Sequence, residues 1–480
     1  MSSRLVLLNA RIGLGGPIRH LVIEKGRVVD VSGLIDADFR GERIDVQGAT
    51  VLPGLYDAHV HMVQWAQARR RIDLSPARSA REAVDLAVAG RSGDGPTVGY
   101  GFRDALWPDA PDTSMFPPGA FVLVSNDLHT AWLSPEALRL VGRGDHPTGV
   151  LREQDCYTAM AALPPPPREE VDRWVVEAAS AAAARGVTGV LDFEFADTVT
   201  DWSRRVAEHR VDVRVTCAIT RILLDQAIHA GLRTGEEVAG SGGLLEVGPL
   251  KLFADGSLNT RTAYCDHPYP GTGDRGLLEL PPDELRATMA RAAAHGLHPA
   301  VHAIGDSANA LVLDAFEELG CPGRIEHAQL VRSDDFVRFA RPGLVAGVQP
   351  AHGPDDRDVA EIHWRGRTAR AYAYADLLAA GAVLQFGSDA PVAPLDPWDG
   401  IASAVTRTDD DRPTWHPEQA VPLGAALTAA CGGRSGVARG DRADLMVLAD
   451  DPCAIAPEGL RRIEVVATLL RGGFTYRNGV

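Results

Sequence analysis

From about residue 180 onward, short apolar runs alternate with stretches whose apolar residues recur every three or four positions. The runs Val187–Phe193, Val213–Ile219, Val247–Phe253, His298–Ala303, Arg324–Ala328, Leu344–Gln349 and Val383–Gly387 read as strands. Helical spacing fills several intervals between them, at Pro281–His295, Ser307–Leu319 and Thr368–Ala380. An eighth apolar run precedes His59. Alternating β and α units imply a parallel sheet with right-handed crossovers, and eight such strands can close on themselves. The expected fold class is therefore α/β, a (β/α)8 TIM-like barrel.

Both ends of the chain carry a different pattern. Leu5–Ile12 and Leu21–Val31 flank a Gly-Gly-Pro turn, and Asp444–Leu448 and Val465–Gly473 again read as short strands. Two terminal β-segments too small to fold alone are expected to pair into one composite β-sandwich, from residues 1–50 and 436–480, around a barrel over 51–435. The first and second barrel strands are separated by more chain than a barrel loop needs. Residues 65–165, with the apolar run Phe121–Val124 and ending near the prolines at 164–167, read as an insertion after the first barrel strand, placed to roof the barrel mouth. An alanine-rich helix from Arg168 to Arg185 follows as barrel wall.

Composition narrows the function classes. A net charge of -16 disfavours nucleic acid or an anionic membrane surface as partner, and no run of about 18 apolar residues occurs. The six cysteines have no C-x-x-C spacing and read as reduced thiols of a cytoplasmic protein. Only two of the 48 basic residues are lysines, Lys25 and Lys251. Lys25, before Gly26, suits a hairpin turn. Lys251 is the one whose position invites a role that needs a primary amine.

The candidate chemistry begins at Pro53-Gly54-Leu55-Tyr56-Asp57-Ala58-His59-Val60-His61. On a strand, residues i and i+2 share a face, so His59 and His61 project together above Asp57. Two adjacent imidazoles suit a borderline cation such as zinc, and equally suit a hydrogen-bonded strand end. In an (α/β) barrel the active site lies at the C-terminal strand ends. Those ends carry Lys251 on the fourth strand, His302 on the fifth, His327 on the sixth and Asp389 on the eighth. Taken singly, each has an ordinary role as core histidine, salt-bridge partner or turn cap. Taken together they make a ligand set for a divalent metal.

These motifs, with Lys251–Ala263, His302–Asp306, Ile325–Gln329 and the Gly-Ser-Asp-Ala-Pro turn at 387–391, resemble the metal-dependent amidohydrolase superfamily. The resemblance covers nearly the whole chain and is nearest to the amidohydrolase family 3 branch that includes N-substituted formamide deformylases. One departure is Asn259-Thr260, where that branch usually has Gly-Ser. The resemblance implies His59, His61 and Asp389 on a more buried metal and His302 and His327 on a second. It also implies a carboxylated Lys251 bridging the two, or a single metal with Lys251 unmodified. It further implies Asp389 as the proton-transfer residue in hydrolysis of a C–N bond of an amide, N-substituted formamide or cyclic amide, with zinc as the expected metal and a small molecule as substrate. Deamination or lactone opening at the same site stays open at this point, as does a catalytically silent metal-binding scaffold. Homo-oligomer formation is a resemblance-level expectation.

Further substrate-binding candidates are Arg103 and Arg261, as carboxylate clamps or as ordinary surface or structural arginines, and Trp65 and Trp107, as an apolar wall or as core. His129 and His352, near predicted strand ends, are candidates for hydrogen-bonding substrate or for packing. No G-x-S-x-G elbow, Walker loop or strand-linked G-x-G-x-x-G is present.

Overall fold

The computed structural model describes residues 4–33, 39–92 and 95–479. Eight parallel strands form its centre: β1 (Leu55–Val60), β2 (Val187–Asp192), β3 (Arg214–Thr220), β4 (Leu245–Phe253), β5 (Pro299–Ala303), β6 (Gly323–His327), β7 (Leu344–Val348) and β8 (Val383–Phe386). Each pairs in parallel with the next from β1 to β8. The remaining seam closes just beyond β8, where Asp389 N donates to His59 O at 2.7 Å and His61 N to Ala390 O at 2.8 Å. Gly387 makes this seam possible, because a Cβ there would come within 2.5 Å of the His59 Cβ. The fold is a TIM-like barrel, and the expected strand runs all fall on barrel strands.

The strands are apolar on both faces because helices cover the outside. Leu252, Val301 and Ile325 from the strands pack with Met289, Val312 and Phe316 from helices Pro282–Ala294 and Asp306–Leu319 in one continuous core. The alanine-rich segment forms helix Arg168–Ala183, whose Val175, Ala178, Ala179 and Ala182 join the same core. The helix expected over Thr368–Ala380 is broken. A 3-10 turn at Thr368–Arg370 is followed by a separate helix at Tyr374–Ala379. Between them Tyr372 turns to φ +52° and donates its N–H to Gln329 O at 2.6 Å, so the chain is pulled back onto the loop after β6.

The two chain ends share one eight-stranded sheet. Leu445–Leu448 runs antiparallel to Thr50–Pro53, which pairs in turn with Arg4–Ile12. This sheet closes over Leu7, Leu21, Ile23, Val447 and Leu469, and its N-terminal part reaches Pro53, three residues past the boundary expected from the sequence. Between β1 and β2 a separate five-stranded sheet is built from Ile72–Asp73, Thr97–Phe102, Phe121–Ser125, Thr130–Leu133 and Val150–Arg152. Alternation along Phe121–Val124 supplies both faces of that sheet. Phe121 and Leu123 pack on helix Ala80–Ala89, while Val122 and Val124 pack with Leu138 and Ala159. A cavity of about 1940 Å³ lies between this sheet's loops and the C-terminal ends of the barrel strands.

Candidate metal centre

At the base of the cavity, His59, His61 and Asp389 each offer a ligand atom within 4.8 Å of the others, and all three are buried. Asp389 Oδ1 stands 3.4 Å from Nε2 of both imidazoles. Lys251 Nζ lies 3.4 Å from His59 Nε2, against the faces of Phe193 and Phe253, with no carboxylate in ion-pair distance among the described residues. His327 stacks toward both neighbours, its ring centroid 5.0 Å from that of His59 and 4.4 Å from that of His302. The six residues therefore share one end of the barrel. The tight cluster comprises three of them, with Lys251, His302 and His327 around it.

Hydrogen bonds fix which imidazole nitrogens carry protons. His59 Nδ1 sits 2.7 Å from Glu326 Oε2, His327 Nδ1 2.9 Å from Gln349 Oε1, and His302 Nε2 3.0 Å from Gly256 O. A carboxylate or carbonyl oxygen can only accept, so the opposite nitrogen of each ring keeps a free lone pair. Orienting partners of this kind accompany metal-bound histidines. Burial moves the ring pKa values the same way, with the Lys251 charge helping. His59 is pushed down to about 4, His302 down to about 3, and His327 well below the ordinary value, where His302 adds. All three are neutral at pH 7, the form that binds metal. Burial would raise the Asp389 carboxyl, but the surrounding imidazoles outweigh it and keep Asp389 anionic.

Glu326 was not singled out in the sequence, although it precedes His327. On an ideal strand the two would face opposite ways. His327 and Ala328 instead adopt φ of +74° and +43°, so Glu326 points into the barrel and His327 still reaches the rim. Below Glu326, Arg324 Nε donates to its Oε1 at 2.6 Å. Burial alone would raise Glu326, but Arg324 and His59 hold it at about 2. A fixed anion thus stands behind His59.

The donor chemistry fits a divalent cation. Neutral imidazoles and a carboxylate converge without bonding each other closely, and His61 Nδ1 is buried with no hydrogen bond. Burial lowers Lys251 to about 8 against the pull of Glu326 and Asp389, with Arg324 adding to the lowering.

The other candidates separate clearly. His129 and His352 line the cavity. His129 Nδ1 lies 2.7 Å from Glu153 Oε2, and the departure Asn259-Thr260 meets this same network. Asn259 Nδ2 donates to Asp127 Oδ2 at 3.2 Å and Thr260 Oγ1 to Glu153 Oε1 at 2.6 Å. His352 is buried, with Nε2 unpartnered. Arg103 reaches the cavity rim, 48% exposed, and pairs with Asp355 at 2.7 Å. Three candidates are not brought to the cavity wall. Arg261 is exposed on a left-handed turn (φ +62°). Trp65 packs against the barrel core beneath Arg69, because its place on helix Met62–Ala68 faces away from the opening. Trp107 is tied into the core of the inserted sheet by Phe102 and by its Nε1 hydrogen bond to Ala77 O.

Comparison with known proteins agrees with this geometry. The amidohydrolase family profile matches residues 42–476, and the chain belongs to that family. It is similar to a crystal structure of an uncharacterized metal-dependent hydrolase from Pyrococcus horikoshii OT3, at 26% identity and TM-score 0.79, covering 95% of this chain and 99% of that one. Among named relatives, the N-substituted formamide deformylase of Arthrobacter pascens is 24% identical over 94% of this chain and 92% of its own length. The protein LONG AFTER FAR-RED 3 of Arabidopsis thaliana is 28% identical over 85% and 78%. The protein is an enzyme of the hydrolase class acting on a small molecule. The His-His-Asp cluster points to a divalent metal, and no helix among the described residues is long and apolar enough to cross a membrane.

Proposed function

We propose that this protein hydrolyses the C–N bond of a non-peptide amide, an N-substituted formamide or a cyclic amide, with zinc as its metal. The observation that carries the reading is the Asp389 carboxylate set 3.4 Å from both His59 and His61 at the floor of the cavity. His59, His61 and Asp389 would hold one ion, and His302 and His327 a second. Lys251, carboxylated by carbon dioxide, would join the two. Carboxylation requires the neutral amine, which burial and the lack of an ion-pair partner among the described residues favour, against the cation-stabilising faces of Phe193 and Phe253. Bound zinc supplies Lewis acidity toward water and the substrate carbonyl.

The chain's own residues do the rest. Glu326 keeps the His59 proton on Nδ1, so Nε2 faces the centre. Asp389, anionic and buried, orients the attacking water, accepts its proton and returns it to the leaving nitrogen as the C–N bond breaks. His352, lining the cavity with a free Nε2, is placed to hydrogen-bond the substrate carbonyl. The sheet inserted after β1 covers the strand ends and limits water around the reacting groups.

The test is a substrate panel of N-substituted formamides, cyclic amides, lactones, aminopurines and dipeptides offered to the zinc-loaded enzyme. Turnover confined to amides and formamides is the expected result. Turnover of only lactones, aminopurines or dipeptides would replace this reading.

A further inference from the structure

Five arginines line the cavity, and four are matched to carboxylates. Arg70 pairs with Glu177, Arg103 with Asp355, Arg221 with Glu284, and Arg412 with Asp358 and Asp410. Arg71 is different. Among the described residues no carboxylate lies within ion-pair distance of it, and its guanidinium Nη2 donates to Gln67 Oε1 at 3.0 Å. The nearby Glu194 carboxylate is already taken by the N–H groups of Val63, Gln64 and Phe195 and by Gln64 Nε2.

The position of Arg71 ties it to the metal centre. Helix Met62–Ala68 starts directly after His61, and His61, Gln64, Gln67 and Arg71 all line the cavity. Gln64 and Gln67 follow His61 at intervals of three along one edge of the helix, and Arg71 lies three residues beyond its last residue. That edge leads from the candidate ligand His61 along the cavity wall to Arg71, ten residues further along the chain. A guanidinium in such a place offers two parallel N–H donors, the geometry that a carboxylate matches. Burial also holds Arg71 below the ordinary arginine pKa, as expected of a cation without its anion.

We infer that Arg71 anchors a carboxylate of the substrate, removed from the bond that is cut, so that the substrate is an N-acyl or N-formyl amino acid rather than a neutral amide. This rests on the amide-hydrolase reading above and adds the substrate class. Gln67 holds the guanidinium toward the cavity, and the matched ion pairs elsewhere on the wall leave Arg71 as the place for the incoming anion.

The experiment measures binding by isothermal titration calorimetry to the zinc-loaded Asp389→Asn protein, which does not consume its ligands. The probes are N-formylglycine, N-formyl-4-aminobutyrate and N-formyl-6-aminohexanoate, each beside its primary amide. At least one acid is expected to bind about tenfold to a hundredfold tighter than its amide, the worth of a charge-assisted pair. Introducing Arg71→Gln should erase that preference and Arg71→Lys should keep part of it, with unchanged circular dichroism showing that both fold. Equal affinity for acid and amide, no binding by any acid, or a preference that survives Arg71→Gln would overturn the assignment. Turnover by the wild-type enzyme separates the two readings. Cleavage of neutral formamides without preference for acids removes only Arg71, whereas preference for acids without cleavage removes only the hydrolase reading.

Discussion

In the proposed reaction Asp389 would have two tasks, holding metal and moving a proton, and a single substitution separates them. Asparagine keeps the side-chain size and one oxygen near His59 and His61 but cannot take a proton from water. Asp389→Asn should retain metal while kcat falls about a hundredfold to ten-thousandfold, the usual worth of general acid–base catalysis. Metal analysis beside steady-state rates checks this, and near-normal kcat would remove Asp389 from the chemistry. Glu326 acts one step further back, through the proton on His59 Nδ1. Glu326→Gln should weaken metal affinity by about 10–100-fold, measured by competition with a chromophoric chelator. The histidines, Lys251 and Asp389 were legible because they end successive strand-like runs. Glu326 was not, because its inward direction depends on the left-handed turn at His327, which no periodicity announces.

The seam between β8 and β1 depends on Gly387, and Gly387→Ala would force a Cβ to 2.5 Å from that of His59. It should destabilise the protein by about 1–3 kcal/mol in urea titration, with loss of metal because His59 and Asp389 flank the seam. The insertion meets the loop after β4 through Glu153, which accepts from Thr260 and Thr262 and pairs with His129 inside the insertion. Burial would lower the His129 pKa, but Glu153 reverses this and raises it from 6.5 to about 9. That contribution to stability is complete below about 6.5 and disappears as pH rises through 9. Glu153 is raised by burial and lowered further by His129, from 4.5 to about 2, so its contribution is complete above 4.5 and disappears as pH falls through 2. In Glu153→Gln the fall in melting temperature between pH 6.5 and 9 should flatten, and an unchanged slope would show that the pair does not contribute to stability. The strands of this inserted sheet were only partly legible. Phe121–Val124 is a strong apolar run, whereas Ile72–Asp73 and Val150–Arg152 are too short to signal themselves.

The molecule as a whole places its chemistry where the topology converges. Eight parallel strands bring groups as distant as His59 and Asp389 to one rim, and the shared terminal sheet ties both chain ends to the barrel base. The barrel was readable because most of the strand runs are largely apolar and each is separated from the next by enough chain for a crossover. The cavity wall was readable in part: the candidates Arg103, His129 and His352 line it, whereas Trp65, Trp107 and Arg261, for which core or surface roles stayed open, lie elsewhere, and Arg71, in a run of three arginines, looked ordinary. A metal that binds the folded chain alone should also stabilise it, by about 4 kcal/mol at a thousandfold excess over Kd. Chelation should therefore lower the melting temperature, and zinc should restore it.

The most direct measurement is elemental analysis of protein purified from metal-replete growth, beside the His59→Ala/His61→Ala variant. One to two zinc equivalents per wild-type chain and a clear loss in the double variant are expected. Less than about half an equivalent of any divalent metal in the wild type, or equal content in the two proteins, would contradict the proposed metal centre.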